Sequence, residues 1–260
     1  MTDAELHERL RANILGFKRL QGQTAKLSTH TLPGVVAFAV PGQSDLLFQQ
    51  QIMFDSPEAL AEALEPLERW YRAHQVPAWR VPVLPGDRAT EALLSRAGYQ
   101  PDSTLPAMVL ELRHPAAPEP PPGTTLEHPD NLDAVLDLNG RCYGLGLTSF
   151  LAPWRQPPLP GPQLHAVLVR EAGRVLACGF SFEQEDTAGI YFVATHEQAR
   201  RRGLGALVMR GLHAGAYARG RTLAVLQSSL LGHNLYRQLG YRDLGSWTHW
   251  VKRAPGAAPA

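Results

Sequence analysis

Three consecutive arginines followed by two spaced glycines, Arg200-Arg201-Arg202-Gly203-Leu204-Gly205, form the stretch of this 260-residue chain best equipped to hold a ligand. Before it runs Ile190-Tyr191-Phe192-Val193-Ala194, whose β-branched and aromatic side chains predict a short buried strand. After it, Leu204, Leu207, Val208, Gly211, Leu212 and Gly215 recur at helical spacing, as one packed helix face. A glycine turn between a strand and a helix start is built for phosphate. The first helical N–H groups lack intrahelical partners, and the dipole is positive there. Glycine admits an anion close to that backbone, and arginine adds bidentate donors. A solvated helix start with ordinary turn glycines is the plainer alternative.

The turn departs from two familiar phosphate loops. A dinucleotide loop would carry a third glycine near Val208 and an acidic residue about 20 positions on; neither is present. A nucleoside-triphosphate loop would end Gly-Lys-Ser/Thr, whereas here Gly205 is followed by Ala206-Leu207. What remains is Arg200-x-x-Gly203-x-Gly205. Downstream, Thr222–Gln227 reads as another strand, and Asn234-Leu235-Tyr236-Arg237-Gln238-Leu239-Gly240-Tyr241 follows it. These two motifs, in this order, resemble those of the GNAT superfamily of N-acetyltransferases, and the resemblance spans roughly Thr124 to Lys252.

The resemblance implies acetyl-CoA as cosubstrate, and acetyl transfer to a primary amine by direct attack in a ternary complex. The acceptor would be a small-molecule or peptide amine. The backbone of Val193, Ala194 and Thr195 would pair with the pantetheine arm as an added strand. Backbone donors from Arg201, Arg202, Gly203, Leu204, Gly205 and Ala206, after Arg200, would hold the pyrophosphate. Ser229 falls where relatives carry a CoA-contacting asparagine. Tyr236 matches the general acid that protonates the leaving thiolate, its alternative being a core tyrosine after a helix start. The general base does not carry over: Gly189 and Ala224 stand where relatives place a glutamate. Of the nearby Glu183, Glu185, Asp186 and His196, Glu183 is the expected base, with a bound water as the alternative. A GNAT-like protein that binds acyl-CoA without transferring it is the competing reading.

The rest of the chain has to position these groups. The fold expected is α/β (α+β), a mixed, mostly antiparallel GNAT-like sheet flanked by helices. Helices are expected from Asp3 to Leu20, from Pro57 to about His74 and over Ala89–Ala97. Strands are expected at Gly34–Val40, Leu46–Phe54, Ala78–Leu84 and Leu105–Leu112. Residues 114–123, HPAAPEPPPG, hold five prolines and form a stiff linker. It divides residues 1–113 from a C-terminal acetyltransferase half at 124–253; 254–260 is an expected disordered tail. Gly98-Tyr99 echoes Gly240-Tyr241 in a similar setting, which suggests a duplicated fold. The first copy lacks the chemistry: Leu94 stands for Tyr236, and the helix beginning near Ser56 has no glycine loop. It should bind no CoA, but cover the C-terminal half or shape its acceptor pocket. The segment from Gly144 to Pro162 reads as a long loop or broken helix, with Tyr143, Phe150 and Trp154 either lining a substrate pocket or pinning the loop to the surface.

Composition narrows the classes further. An apolar content of 44% supports a packed core. A net charge of +1 argues against nucleic-acid or acidic-membrane binding. The two cysteines, Cys142 and Cys178, read as reduced thiols. The ten histidines show no metal-ligand spacing, so no metal is expected. Without a signal-like start or a membrane-length apolar run, the expectation is a cytoplasmic monomer or homodimer.

Overall fold

A computed structural model describes residues 1–43, 47–115, 117–143 and 150–254. Helix α1 (Asp3–Thr24) starts at a capping box: Thr2 Oγ1 accepts from the Glu5 N–H at 3.3 Å, and the Glu5 carboxylate accepts from the Thr2 N–H at 2.7 Å. Among the described residues five α-helices follow: α2 (Pro57–Ala73), α3 (Arg88–Arg96), α4 (Asp133–Tyr143), α5 (Leu204–Ala218) and α6 (His233–Gln238). None of the helices described is long and apolar enough to cross a membrane.

The N-terminal half supplies β1 (Ser28–Leu32), β2 (Val35–Ala39), β3 (Gln51–Phe54), β4 (Ala78–Val83) and β5 (Gln100–Glu111). The C-terminal half supplies β6 (Thr124–Glu127), β7 (Leu164–Glu171), β8 (Arg174–Gln184), β9 (Thr187–Thr195), β10 (Leu223–Gln227) and β11 (Arg242–Arg253). They form one mixed sheet, ordered β1-β2-β3-β4-β11-β5-β10-β9-β8-β7-β6, with helices on its faces. The β1 strand was not anticipated, because Ser28, Thr29, His30 and Thr31 carry little apolar signal. The run expected at Leu46–Phe54 becomes strand only at Gln51; its first residue lies outside the described residues.

The two halves exchange their last strands. Strand β11 lies between β4 and β5, and β5 lies between β11 and β10. Each last strand thus pairs with the other half, and the sheet is continuous across the proline-rich stretch. This explains why β5 starts at Gln100 rather than at Leu105. Its first residues pair with β11, and its last five pair with β10.

Every described pairing is antiparallel except two, β3–β4 and β9–β10, and both open soon after they begin. The N–H of Arg80 donates to the Gln50 carbonyl at 2.8 Å. By alternation Pro82 turns to the same side, where it has no N–H to give, so the β3–β4 ladder stops. In the C-terminal half, β9 and β10 pair from Thr187/Leu223 to Gly189/Val225 and then diverge.

Strand β2 is buried along its whole length because both faces are covered. Val36 and Phe38 join a core under α1 and α4, and Val35 and Ala37 join one under α2 and α3. A third core holds α5 against the C-terminal strands. Helix α1 crosses to the C-terminal half, where Phe17 stacks on Tyr191 with ring centroids 4.2 Å apart. Phe150 and Trp154 are buried in the same core, and Trp154 Nε1 donates to Thr24 Oγ1 at 3.0 Å. Both are core residues, and residues 144–149 of the segment expected as a loop lie outside the described residues.

Burial also sets an acid limit on stability. His213 of α5 is buried, its Nε2 2.8 Å from the Tyr241 hydroxyl, and desolvation pushes its pKa down to about 4. The unfolded chain holds the proton up to about pH 6.5, so it binds more protons than the native state between pH 6.5 and 4. Stability should fall through that window as the pH drops, by on the order of 3 kcal/mol from this residue. His213→Leu should flatten the acid side of a pH series of urea melts. An unchanged slope would assign the loss to another buried histidine, such as His7 or His249.

Candidate functional site

The glycine turn folds as an anion cradle. Arg201 and Gly203 both adopt positive φ, 63° and 77°, so successive N–H groups turn to one side. Gly203 is the N-cap of α5, and no side chain caps that end. The first donors of a 15-residue helix therefore remain open. A Cβ built on Gly203 would have nothing within 4 Å, so the space before the helix is clear. Gly205 is tighter: a Cβ there would lie 3.2 Å from Thr195 Oγ1 and 3.3 Å from Leu235 Cδ2. This glycine lets the helix start close to the end of β9. Arg202 pairs with Glu171, while Arg200 and Arg201 are exposed beside the turn. The equivalent end in the first half is closed, because Ser56 Oγ accepts from the Ala59 N–H at the start of α2.

Strand β9 reaches this cradle through a bulge. Its register with β8 shifts between Cys178 and Phe180, and Phe192 takes φ of 56°. The His196 N–H donates to the Leu176 carbonyl at 2.8 Å, so alternation turns the backbone of Val193 and Thr195 away from β8 toward the opening. Helix α4 holds the bulged segment. Asn139 Nδ2 donates to the Phe192 carbonyl at 2.8 Å and to the Val135 carbonyl at 2.9 Å. The Tyr143 hydroxyl donates to the Val193 carbonyl at 2.8 Å, and Cys142 Sγ lies 3.6 Å from the Thr195 carbonyl. Residues 139, 142 and 143 share one helix face, so one turn of helix meets the carbonyls of Phe192, Thr195 and Val193.

Two cavities fill the opening and share the walls Phe48, Leu105, Tyr191, Phe192 and Gln227. The first, of about 260 Å³, is also lined by Asn139, Tyr143, Val193, Ser229 and Tyr236. Tyr236 is buried and its ring packs on Tyr241 at 5.7 Å; burial pushes its hydroxyl pKa up, so the phenol stays protonated. Ser229 Oγ accepts from the Gly232 N–H at 3.2 Å. The second cavity, of about 270 Å³, runs under α1 and is lined by Leu10, Ile14, Phe17, Lys18, Gln49, Gln51 and Arg80 of the first half, with Val225 and Leu226 of β10.

The structure thus brings together Val193, Ser229 and Tyr236, with Thr195 beside the turn of Arg200–Ala206. Ala194 turns its backbone the other way, toward β8. Glu183, expected as the base, is not with them. It lines neither cavity. Its buried carboxylate accepts from Arg219 Nη2 at 2.6 Å and from Arg221 Nε at 3.3 Å. Burial pushes that carboxyl up, but Arg219, His165 and Arg221 outweigh it and hold it below the usual range. A carboxylate bound by two guanidinium groups is an ion-pair staple for β8 and a poor base. No carboxylate or histidine lines either cavity among the described residues.

Gly189, where relatives place a glutamate, is filled from the first half. A Cβ there would lie 1.8 Å from Asn13 Oδ1, and that oxygen accepts from the Tyr191 hydroxyl at 2.8 Å. Asn13, Lys18, Gln49, Gln51 and Arg80 were missed by sequence reasoning. The available signal was Lys18, one turn after Ile14 and next to Phe17 on the apolar stripe of α1.

Known proteins agree with this geometry. Residues 162–243 match the family described as Acetyltransferase (GNAT) domain. A GCN5-related N-acetyltransferase from Kribbella flavida superposes with a TM-score of 0.67 at 22% identity, over 96% of this chain and 95% of its own. Another, from Sphaerobacter thermophilus, gives 0.61 at 19% identity, over 86% and 82%. A tandem GNAT protein from the clavulanic acid biosynthesis pathway gives 0.61 at 14% identity, over 86% and 79%. A search of curated proteins finds no match. Residues 162–243 thus match a GNAT acetyltransferase domain, and the chain shares its fold with solved GNAT structures, a tandem GNAT protein among them.

Proposed function

We propose that the C-terminal half transfers the acetyl group of acetyl-CoA to a primary amine by direct attack in a ternary complex. The observation that carries this reading is the uncapped, glycine-started helix α5 beside the bulged, opened edge of β9. The open N–H groups from Arg201 to Ala206 suit a pyrophosphate, and the out-turned backbone of Val193 and Thr195 suits a pantetheine arm. Acetyl-CoA supplies the thioester. The amine nitrogen forms the new C–N bond as the C–S bond breaks. The Val193 N–H stands at the opening, where it would meet the developing oxyanion. Tyr236 would give its phenolic proton to the leaving sulfur and regain one from solvent. The first half would wall the acceptor side through α1, Phe48 and Arg80.

Calorimetry with acetyl-CoA and mass-spectrometric detection of acetylated amines test this reading directly. Binding without any transfer across an amine panel would leave an acyl-CoA-binding protein; no binding would remove both readings. The cavities also make a pH prediction. With no carboxylate or histidine among their described walls, the proton must leave the amine through water. Then kcat/KM should rise about tenfold per pH unit up to the pKa of the acceptor itself. Two acceptors of different basicity should shift the profile by the difference in their pKa values. An inflection that stays fixed would assign the proton to an enzyme group instead.

A further inference from the structure

Among the described residues the second cavity is lined by two basic side chains and no acid. Lys18 Nζ donates to the Phe48 carbonyl at 2.9 Å and to Gln49 Oε1 at 2.5 Å. Arg80 Nη2 donates to the same carbonyl at 3.1 Å and to Gln51 Oε1 at 3.1 Å. All three acceptors are neutral, and among the described residues neither side chain has a salt bridge. Asp102, the carboxylate whose field reaches Arg80, is itself paired with Arg253 at 3.0 Å. Arg80 Nε is buried with no partner, as is Nε2 of Gln227, which lines both cavities. Burial pushes Lys18 well below the ordinary lysine range, and Arg80 beside it pushes the same way. Unpaired buried cations and donors are costly, and a native structure keeps them for a reason.

We propose that the acceptor amine carries a carboxylate, which docks against Lys18 and Arg80 while its amino group points into the cavity lined by Tyr236. The class is an amino-acid-sized acceptor with an apolar side chain, since Leu10, Ile14, Phe17 and Ile190 line the same cavity. The unpartnered Nε–H of Arg80 and the third N–H of Lys18 supply one donor to each carboxylate oxygen. This inference rests on the N-acetyltransferase reading for its chemistry, but its test does not require turnover.

Acceptors are compared in pairs that differ only by the carboxylate: L-leucine with isopentylamine, and L-phenylalanine with phenethylamine. The wild-type protein should favour the carboxylate member by 10- to 100-fold in kcat/KM, the range of one to two charge-assisted bonds. In the Lys18→Met/Arg80→Met variant that preference should vanish through the KM of the carboxylate member, with acetyl-CoA affinity unchanged. Product binding separates the two readings. N-acetyl forms of glycine, leucine, methionine and phenylalanine are compared in thermal melts with N-isopentylacetamide. The amino-acid products should raise the wild-type Tm, and the double variant should lose the shift. A carboxylate-dependent shift without any acetylation would keep the anion recess and remove the transferase reading. No carboxylate-dependent shift across the series, or a preference that survives the double variant, overturns the proposal. Removing unpaired buried cations is expected to preserve folding. If it does not, Arg80→Lys alone, which keeps the charge and deletes Nε–H, must still weaken N-acetyl-leucine binding several-fold.

Discussion

The Gly203→Val protein should bind no acetyl-CoA measurable by calorimetry while keeping its fold. Gly203 sits at φ of 77°, where an L-residue costs about 1–2 kcal/mol and a β-branched one more. Relief of that strain would rotate the N-cap and turn the Leu204 and Gly205 donors off their common target. The added isopropyl group would also fill the clear space before α5, which is where the proposed pyrophosphate must approach. Folding should survive, because a Cβ at this position meets no protein atom within 4 Å. Gly205→Val is a different case. Its side chain would press on Thr195 and Leu235, so it should lose stability together with binding. Gly203→Ala should fall between wild type and valine. Unchanged acetyl-CoA affinity in Gly203→Val would remove the cradle from the proposed function.

Tyr236→Phe should lower kcat by about 10²-fold with little change in acetyl-CoA affinity. Tyr236 lines the same cavity as Val193 while its ring packs on Tyr241, and phenylalanine keeps that packing. A thiol pKa near 8.5 means the departing sulfur needs modest assistance, so the effect belongs at the low end of the 10²–10⁴ range for general-acid catalysis. The raised pKa of the buried phenol keeps the proton available at neutral pH. Combined loss of folding and binding would make Tyr236 structural. Full activity in the variant would assign thiolate protonation to water.

The sequence by itself determined what is local. A helix N-terminus is made by contiguous residues, so Arg200–Ala206 could be read as an anion cradle before any contact was known. Tyr236 was legible for a related reason: its helix, the following turn and Tyr241 lie within a few residues of one another. The strand runs at Gly34–Val40 and Ala78–Leu84 and the proline-rich stretch were legible because each depends on near neighbours. Tertiary structure decided the rest. Glu183 has the right chemistry for a base, but Arg219 and Arg221, distant in sequence, neutralise it in an ion pair. Gly189 reads as a missing catalytic residue, and only the arrival of Asn13 from α1 shows why no side chain fits there. The bulge at Phe192 is held by Asn139, from a helix whose own pattern says nothing of β9. The exchange of β5 and β11 was invisible because a strand's sequence specifies which face is buried, not which neighbour supplies its hydrogen bonds. That exchange and the crossing of α1 bring Lys18 and Arg80 to one cavity. Their charge was plain in the sequence; that it is buried without an acid was settled by packing.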